Sequence, residues 1–130
     1  MSTVRVLIVE DFEPFRRFIC STLKQRPDLQ VIGEVSDGLR AVQKVEELKP
    51  DLVLLDIGLP SLNGIEVARR IRKLAPDSRI IFLSVESSPD VVQEALSLGA
   101  WGHVFKNRAG NDLLQAIECV LLGKPFVSTT

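Results

Sequence analysis

The sequence lacks the features that mark several large classes of protein. Its two cysteines, Cys20 and Cys119, are far apart and follow no metal-ligand spacing, so we expect two reduced thiols. The formal net charge of −1 provides no overall positive field for nucleic acid. No apolar run could span a bilayer, and Glu10 and Asp11 come too early for a signal peptide. These absences predict a soluble cytoplasmic domain that binds neither membrane nor nucleic acid.

The composition is sufficient for one packed domain. The chain has 130 residues, of which 45% are hydrophobic and 25% charged, as in ordinary globular proteins. No internal repeat or low-complexity segment interrupts it. We therefore predict a single domain over residues 1–122, followed by a short tail over residues 123–130.

Apolar runs alternate five times with segments whose apolar residues recur at helical spacing. The runs cover residues 4–9, 29–35, 52–55, 80–83 and 102–105. Proline or glycine stands at or near the ends of most helical segments, as expected at helix boundaries. The segments between the runs are long enough to connect parallel strands. The pattern predicts an α/β fold with helices on both faces of a parallel sheet.

Polar residues distinguish two of the predicted strands from the other three. Gln30 and Glu34 interrupt the second strand and His103 interrupts the fifth, whereas the third and fourth are apolar and the first is apolar at nearly every position. Strands that are apolar throughout are typical of the middle of a parallel sheet. We therefore expect the second and fifth strands at the edges, with His103 partly exposed. The predicted architecture is a five-stranded sheet of order 2-1-3-4-5, which is the flavodoxin-like arrangement.

Charged and polar residues stand where four of these strands end. Glu10 and Asp11 follow the first strand, and Asp56, Ser84 and Lys106 lie at the ends of the third, fourth and fifth. Because the carboxyl ends of parallel strands meet at one edge, we expect these side chains to converge. Three neighbouring carboxylates repel one another, and a divalent cation with oxygen ligands, most commonly Mg²⁺, relieves that repulsion. The amine and the hydroxyl suit an anionic ligand such as a phosphoryl group.

These residues, in this order, resemble those of a response-regulator receiver domain over essentially the whole chain. The matching features are Glu10-Asp11, Asp56-Ile-Gly-Leu-Pro60 with Gly64, Ser84, and Leu-Gly99-Ala100 followed by Lys106. The resemblance implies a signalling switch rather than an enzyme. Asp56 would accept a phosphoryl group from a sensor histidine kinase or a phosphotransfer protein.

The resemblance also implies the ligands of the metal ion. Asp11, Asp56 and the backbone carbonyl of Gly58 would hold Mg²⁺ directly. Glu10 would act through a metal-bound water.

A second set of implied roles concerns the phosphoryl group and the response to it. Lys106 would pair with the phosphoryl oxygens, and Ser84 would move to hydrogen-bond them. Ser84 and His103 would together form the switch. Receivers commonly dimerise through the face formed by the fourth helix, the fifth strand and the last helix, so the resemblance implies a homodimer there.

The sequence departs from the family pattern at three places. Asn107 follows Lys106 where many receivers have a proline after a cis bond; a non-proline cis bond costs about 3–4 kcal/mol, so we expect a trans bond. His103 stands where most receivers have Tyr or Phe, and Val85 follows Ser84 where a smaller residue is usual. The Ser84-Val85 pair, the absence of proline after Lys106 and the tail are most similar to the NarL/FixJ subfamily, whose receivers are joined to a helix-turn-helix DNA-binding domain.

The sequence allows two ways in which the domain could pass on its signal. In the first, which the subfamily resemblance favours, the tail begins a linker to an output domain that controls transcription. In the second, the chain is a stand-alone receiver that acts by protein contacts or as a phosphorelay intermediate.

Two other functions fit the residues less well. A phosphatase of the haloacid-dehalogenase type needs a second acid two residues after its nucleophile, where this chain has Gly58. A flavodoxin-like electron carrier needs a phosphate-binding loop after the first strand, where Glu10 and Asp11 would repel a flavin phosphate.

Two side chains around the fifth strand allow two interpretations each. His103 is either a pH-sensitive switch or, as we favour, an edge-strand histidine without a special role. Trp101 lies either on the output face or buried beside Gly99 and Gly102.

Overall fold

A computed structural model describes residues 3–85 and 89–128 of the chain. Strands and helices alternate through most of it. The elements are β1 (Val4–Val9), α1 (Glu13–Leu23), β2 (Leu29–Val35), α2 (Gly38–Leu48), β3 (Leu52–Asp56), α3 (Gly64–Leu74), β4 (Arg79–Ser84), α4 (Pro89–Ser97), β5 (Gly102–Phe105), a 3₁₀ turn (Lys106–Arg108), α5 (Ala109–Leu121) and β6 (Phe126–Val127).

The strands form one parallel sheet of order β2-β1-β3-β4-β5-β6. Alternate residues of each strand face opposite sides, so the core has two layers. Side chains of α1 and α5 pack on one face of the sheet, and those of α2, α3 and α4 pack on the other. Every residue of β3 is buried, which agrees with the apolar run that precedes Asp56. The predicted parallel α/β architecture and the order of its five strands are confirmed.

Helix boundaries follow the local signals in the sequence. The Asp37 side chain accepts a hydrogen bond from the Arg40 N–H at the start of α2, and Asn63 does the same for Glu66 at the start of α3. Gly99 follows α4 with a φ of 87°, a left-handed conformation that glycine adopts without strain. Among the helices of residues 3–85 and 89–128, none combines the length and apolar character needed to cross a bilayer.

The sheet has a sixth strand that the sequence did not predict. Within the predicted tail, Phe126–Val127 form β6, which pairs in parallel with Gly102 and His103 of β5. A strand of two residues has no periodicity by which a sequence pattern could find it. The prediction that the fifth strand lies at the edge was therefore wrong.

His103 is also placed differently from the prediction. The residue is 0% exposed, whereas a partly exposed side chain was expected. The prediction assumed that a polar residue in a strand faces water. In this fold β6 pairs with the main chain of β5, and the imidazole lies buried on a face of the sheet, against Ser84 of β4 and the Phe105 ring.

Gly64, the first residue of α3, packs against the end of β3 more closely than any side chain would allow. A Cβ atom at this position would lie 2.3 Å from the carbonyl oxygen of Asp56 and 2.6 Å from the Cα of Ile57. Both are backbone atoms, which cannot rotate away. The absence of a side chain at Gly64 therefore sets how closely α3 approaches Asp56.

We predict that Gly64→Ala lowers the free energy of unfolding by about 1–3 kcal/mol, because α3 must shift away from the end of β3. Urea denaturation monitored by circular dichroism measures this. Gly110→Ala in α5 is the matched control: its Cβ would meet no atom closer than 4.0 Å, so helix propensity should raise stability by up to about 1 kcal/mol. Equal stability of Gly64→Ala and the original protein would contradict the steric argument.

Candidate functional site

Four parallel strands deliver the predicted site residues to one edge of the sheet. Glu10 follows β1, Asp56 ends β3, Ser84 ends β4, and Lys106 follows β5. The Asp56 side chain is almost enclosed, with 4% of the residue exposed, and Ser84 and Glu10 are buried as well. Asp11 is exposed at the mouth of the site. The convergence expected from the strand ends is therefore present in the structure.

Three carboxylates come together at this edge. One oxygen each of Glu10, Asp11 and Asp56 lies within 4.8 Å of the others. Carboxylate oxygens are the ligands that Mg²⁺ prefers, and an octahedral Mg²⁺ with ligands at about 2.1 Å separates opposite ligands by about 4.2 Å. The donor type and spacing of these groups thus fit a small divalent cation.

Lys106 supplies the positive charge that partly balances the acids. Its Nζ lies 2.7 Å from Glu10 Oε1 and 3.3 Å from Asp56 Oδ2, and 15% of its side chain is exposed. When all are ionised, three carboxylates and one ammonium leave a formal charge of −2. One divalent cation would neutralise it, so the charge of the site agrees with its donor set.

Backbone amides hold the two buried carboxylates in position. The Gly58 N–H donates to Asp56 Oδ1 at 3.0 Å, and the Phe12 N–H donates to Glu10 Oε2 at 3.0 Å. Both donors lie two residues after the acid in tight loops. Each loop therefore fixes its own carboxylate at the edge of the sheet.

Two residues of α1, Arg16 and Phe15, contact the site. The Arg16 guanidinium donates to the backbone oxygen of Glu10 at 2.9 Å and pairs with Glu34 of β2 at 3.3 Å. The Phe15 ring centroid lies 5.1 Å from Lys106 Nζ, which is within the range of a cation–π contact. Their spacing after Asp11 places both on the first turns of α1, but only the packing of α1 shows which groups they reach.

Burial makes the ionised form of the two enclosed acids costly. Desolvation raises the pKa of Asp56, although the Gly58 N–H and the Lys106 ammonium act in the opposite direction. Desolvation likewise raises the pKa of Glu10 against the opposing effect of its bonds to Lys106 and the Phe12 N–H. The site therefore holds negative charge at a free-energy cost, which binding of a cation would reduce.

Ser84 and His103 are joined by a hydrogen bond inside the protein. Ser84 Oγ lies 2.8 Å from His103 Nε2, and the imidazole stacks edge-on against Phe105 at 4.7 Å. Burial lowers the pKa of His103, so the ring is neutral at physiological pH. Its Nδ1 has no hydrogen-bond partner among residues 3–85 and 89–128. The interpretation as a solvent-facing edge histidine is replaced by a direct link between β4 and β5.

The departures from the family pattern have clear structural outcomes. No cis peptide bond occurs within the described ranges, so the predicted trans bond between Lys106 and Asn107 is confirmed. Val85 is 82% exposed and projects into solvent beside the site. Trp101 is half-buried, with the Arg79 guanidinium 4.5 Å from its ring, so it lies between the two predicted placements.

Comparison with known proteins gives a consistent family. The model of the response regulator receiver domain matches residues 6–118. The chain is 32% identical over 123 residues to the nitrate/nitrite response regulator protein NarL of Escherichia coli K12, covering 95% of this chain and 57% of NarL. The chain spans about half the length of the curated relatives it matches.

Solved structures agree with this result. A two-component response regulator of the LuxR family from Aurantimonas superimposes with a TM-score of 0.90 at 32% identity, covering 96% of this chain and 89% of that one. The isolated REC domain of RcsB from Salmonella enterica serovar Typhimurium, solved with the phosphomimetic BeF₃⁻, superimposes with a TM-score of 0.92 at 25% identity. It covers 98% of this chain and 94% of the RcsB chain.

We predict that Asp56→Asn raises the free energy of unfolding at pH 7 in buffer without divalent cations, because the amide carries no charge that burial would make costly. The raised pKa of Asp56 means that the folded state loses stability as pH rises above the ordinary value of 3.8, and the amide removes that loss. The gain should therefore shrink as pH falls and disappear below 3.8. Denaturant titrations across this pH range measure it.

Asp77→Asn is the control for this prediction, because it removes the same charge from an exposed turn. It should not reproduce the pH-dependent gain. A destabilised Asp56→Asn variant at pH 7 would show that the bond to Lys106 outweighs desolvation.

Proposed function

The chain belongs to the response regulator receiver domain family, and on that premise we propose that Asp56 accepts a phosphoryl group from a sensor histidine kinase or a phosphotransfer protein. The observation that carries the proposal is the position of Asp56: a nearly enclosed carboxylate beside two further acids and 3.3 Å from an ammonium. Such a site suits the transfer of a dianionic group to a carboxylate.

The transfer forms one bond and breaks one. An Asp56 carboxylate oxygen bonds to phosphorus while the bond between phosphorus and the donor's histidine nitrogen breaks, and the histidine leaves. Lys106 stays within reach of the new phosphoryl oxygens and balances their charge. The product is an aspartyl phosphate on the protein itself, so the chain acts as a switch and not as an enzyme on external substrates.

Asp11, Asp56 and the backbone carbonyl of Gly58 would hold Mg²⁺ in this proposal, with Glu10 acting through a water. When bound, Mg²⁺ supplies charge neutralisation for the phosphoryl group and the carboxylates. The exposed position of Asp11 leaves one side of the site open to solvent and to a donor. Gly58 presents no side chain there, and its N–H orients Asp56.

The response begins at Ser84 in this proposal. Its hydroxyl leaves His103 Nε2 and donates to a phosphoryl oxygen, because a hydrogen bond to an anion is stronger than one to a neutral ring. The buried imidazole of His103 then loses its partner at Nε2, and the cost of that unsatisfied group favours its movement. The added charge at Asp56 thereby displaces β5. This displacement reaches the surface near α4 and α5.

The output proposed here is control of transcription through a DNA-binding domain, in the cytoplasm. The support is the likeness to NarL and to a LuxR-family regulator, together with the greater length of the curated relatives. A stand-alone receiver that acts by protein contacts or in a phosphorelay is the alternative. Binding of DNA by the full-length gene product only when it is phosphorylated would support control of transcription and would contradict a stand-alone receiver.

We predict that acetyl phosphate with Mg²⁺ adds one phosphoryl group to the protein, as measured by intact-mass spectrometry. Asp56→Asn should abolish the adduct, because the side-chain amide is not a nucleophile for phosphorus. Omission of Mg²⁺ should reduce it strongly. Asp77→Asn should leave it unchanged, and an adduct that persists in Asp56→Asn would contradict the proposal.

We further predict that the phosphorylated domain forms a homodimer through the face of α4, β5 and α5. Sedimentation velocity with and without Mg²⁺ and BeF₃⁻ measures the change from monomer to dimer. Asp56→Asn under the same conditions should remain a monomer. An unchanged sedimentation coefficient in the original protein with BeF₃⁻ bound would refute dimerisation by this domain.

A further inference from the structure

Residues 126–128 are bonded along β5 in a way that the receiver site does not require. The Phe126 N–H donates to the Trp101 carbonyl at 3.2 Å, and the Ser128 N–H donates to the His103 carbonyl at 2.9 Å. Val127 lies between them with its side chain partly exposed. The segment therefore adds a short strand to the sheet beside β5.

The Ser128 side chain completes this attachment through a buried carboxylate. Its hydroxyl donates to Asp112 Oδ2 at 2.8 Å and accepts the Phe105 N–H at 3.2 Å. Arg108 Nε lies 3.3 Å from the same Asp112 oxygen. Ser128 and Asp112 are both almost fully buried, and a carboxylate in such surroundings needs its donors. The serine hydroxyl is thus a specific partner of Asp112.

His103 is shared by the bonds that hold residues 126–128 and by the hydrogen bond to Ser84. His103 binds Ser84 through its imidazole and Ser128 through its main-chain carbonyl. Phe105, which contacts the His103 ring, gives its N–H to the Ser128 hydroxyl. A displacement of β5 at His103 therefore acts directly on both bonds that Ser128 makes to this strand.

We propose that residues 126–128 are a latch, which is closed on β5 while Ser84 binds His103 and is loosened when Asp56 carries a phosphoryl group. This inference rests on the proposed function of Asp56. It adds that the edge of β5 binds residues 126–128 of the same chain in a way that depends on the phosphoryl group. Loosening the latch exposes the edge of β5 and the Asp112 carboxylate. The position of the segment after α5 then depends on whether Asp56 carries a phosphoryl group.

Linkage makes the latch and the phosphoryl group affect each other equally. If the phosphoryl group weakens the latch by a given factor, complete opening of the latch strengthens binding of a phosphoryl mimic by the same factor, and partial opening strengthens it by less. Ser128→Ala removes the bond to Asp112 and to the Phe105 N–H but leaves the backbone pairing in place. This variant therefore tests both directions of the coupling.

The experiment is amide hydrogen exchange of the 130-residue chain by NMR, with and without Mg²⁺ and BeF₃⁻. Without BeF₃⁻, Ser128→Ala should speed exchange of the backbone amides at positions 126 and 128 on the order of tenfold, because a buried bond to a charged group is lost. BeF₃⁻ should speed exchange of the Phe126 and Ser128 amides of the original protein severalfold. Ser128→Ala should bind BeF₃⁻ about threefold more tightly in a fluorine-NMR titration.

Ser21→Ala, at an exposed position of α1, is the control and should change neither measurement. The fluorine signal of bound BeF₃⁻ shows whether a negative result contradicts the proposed function or only the latch. Absence of that signal would overturn the proposed function and the latch with it. Bound BeF₃⁻ with unchanged exchange at residues 126–128, or equal BeF₃⁻ affinity of Ser128→Ala, would overturn the latch alone.

Discussion

The ion pair of Lys106 with Glu10 and Asp56 is the interaction on which the functional edge of this protein depends. Two buried carboxylates from β1 and β3 would repel each other and could not both stay ionised without a counter-charge. The ammonium arrives from the end of β5, so the site requires that the whole sheet be assembled in order. The charge balance of the site is therefore reached only in the folded sheet.

This ion pair lowers the cost of the buried charge without removing it. The pKa values of Asp56 and Glu10 remain raised by desolvation even with Lys106 in contact. A site in that condition would gain free energy from a bound cation, which would also balance the charge of the phosphoryl group in the proposed function. Desolvation makes the ionised carboxylates costly, and it also strengthens their electrostatic attraction to a cation.

β5 connects this chemistry to the rest of the molecule. It ends beside Lys106, places His103 against Ser84, and carries the residues that pair with β6. Because the core around β5 is close-packed, a change in the Ser84 bond cannot be absorbed at His103 alone. In the proposed latch, the segment bonded to β5 is the element that moves, since it lies at the edge of the sheet.

The local pattern of the sequence determined the five main strands, their order, and the group formed by Glu10, Asp11, Asp56, Ser84 and Lys106. These follow from apolar runs and from the rule that parallel strands end at one edge. Tertiary structure alone decided the burial of His103, the contacts of Arg16 and Phe15, and the existence of β6. Each depends on contacts between residues far apart in the chain, such as Ser128 with Asp112 and His103, and no local periodicity records such contacts.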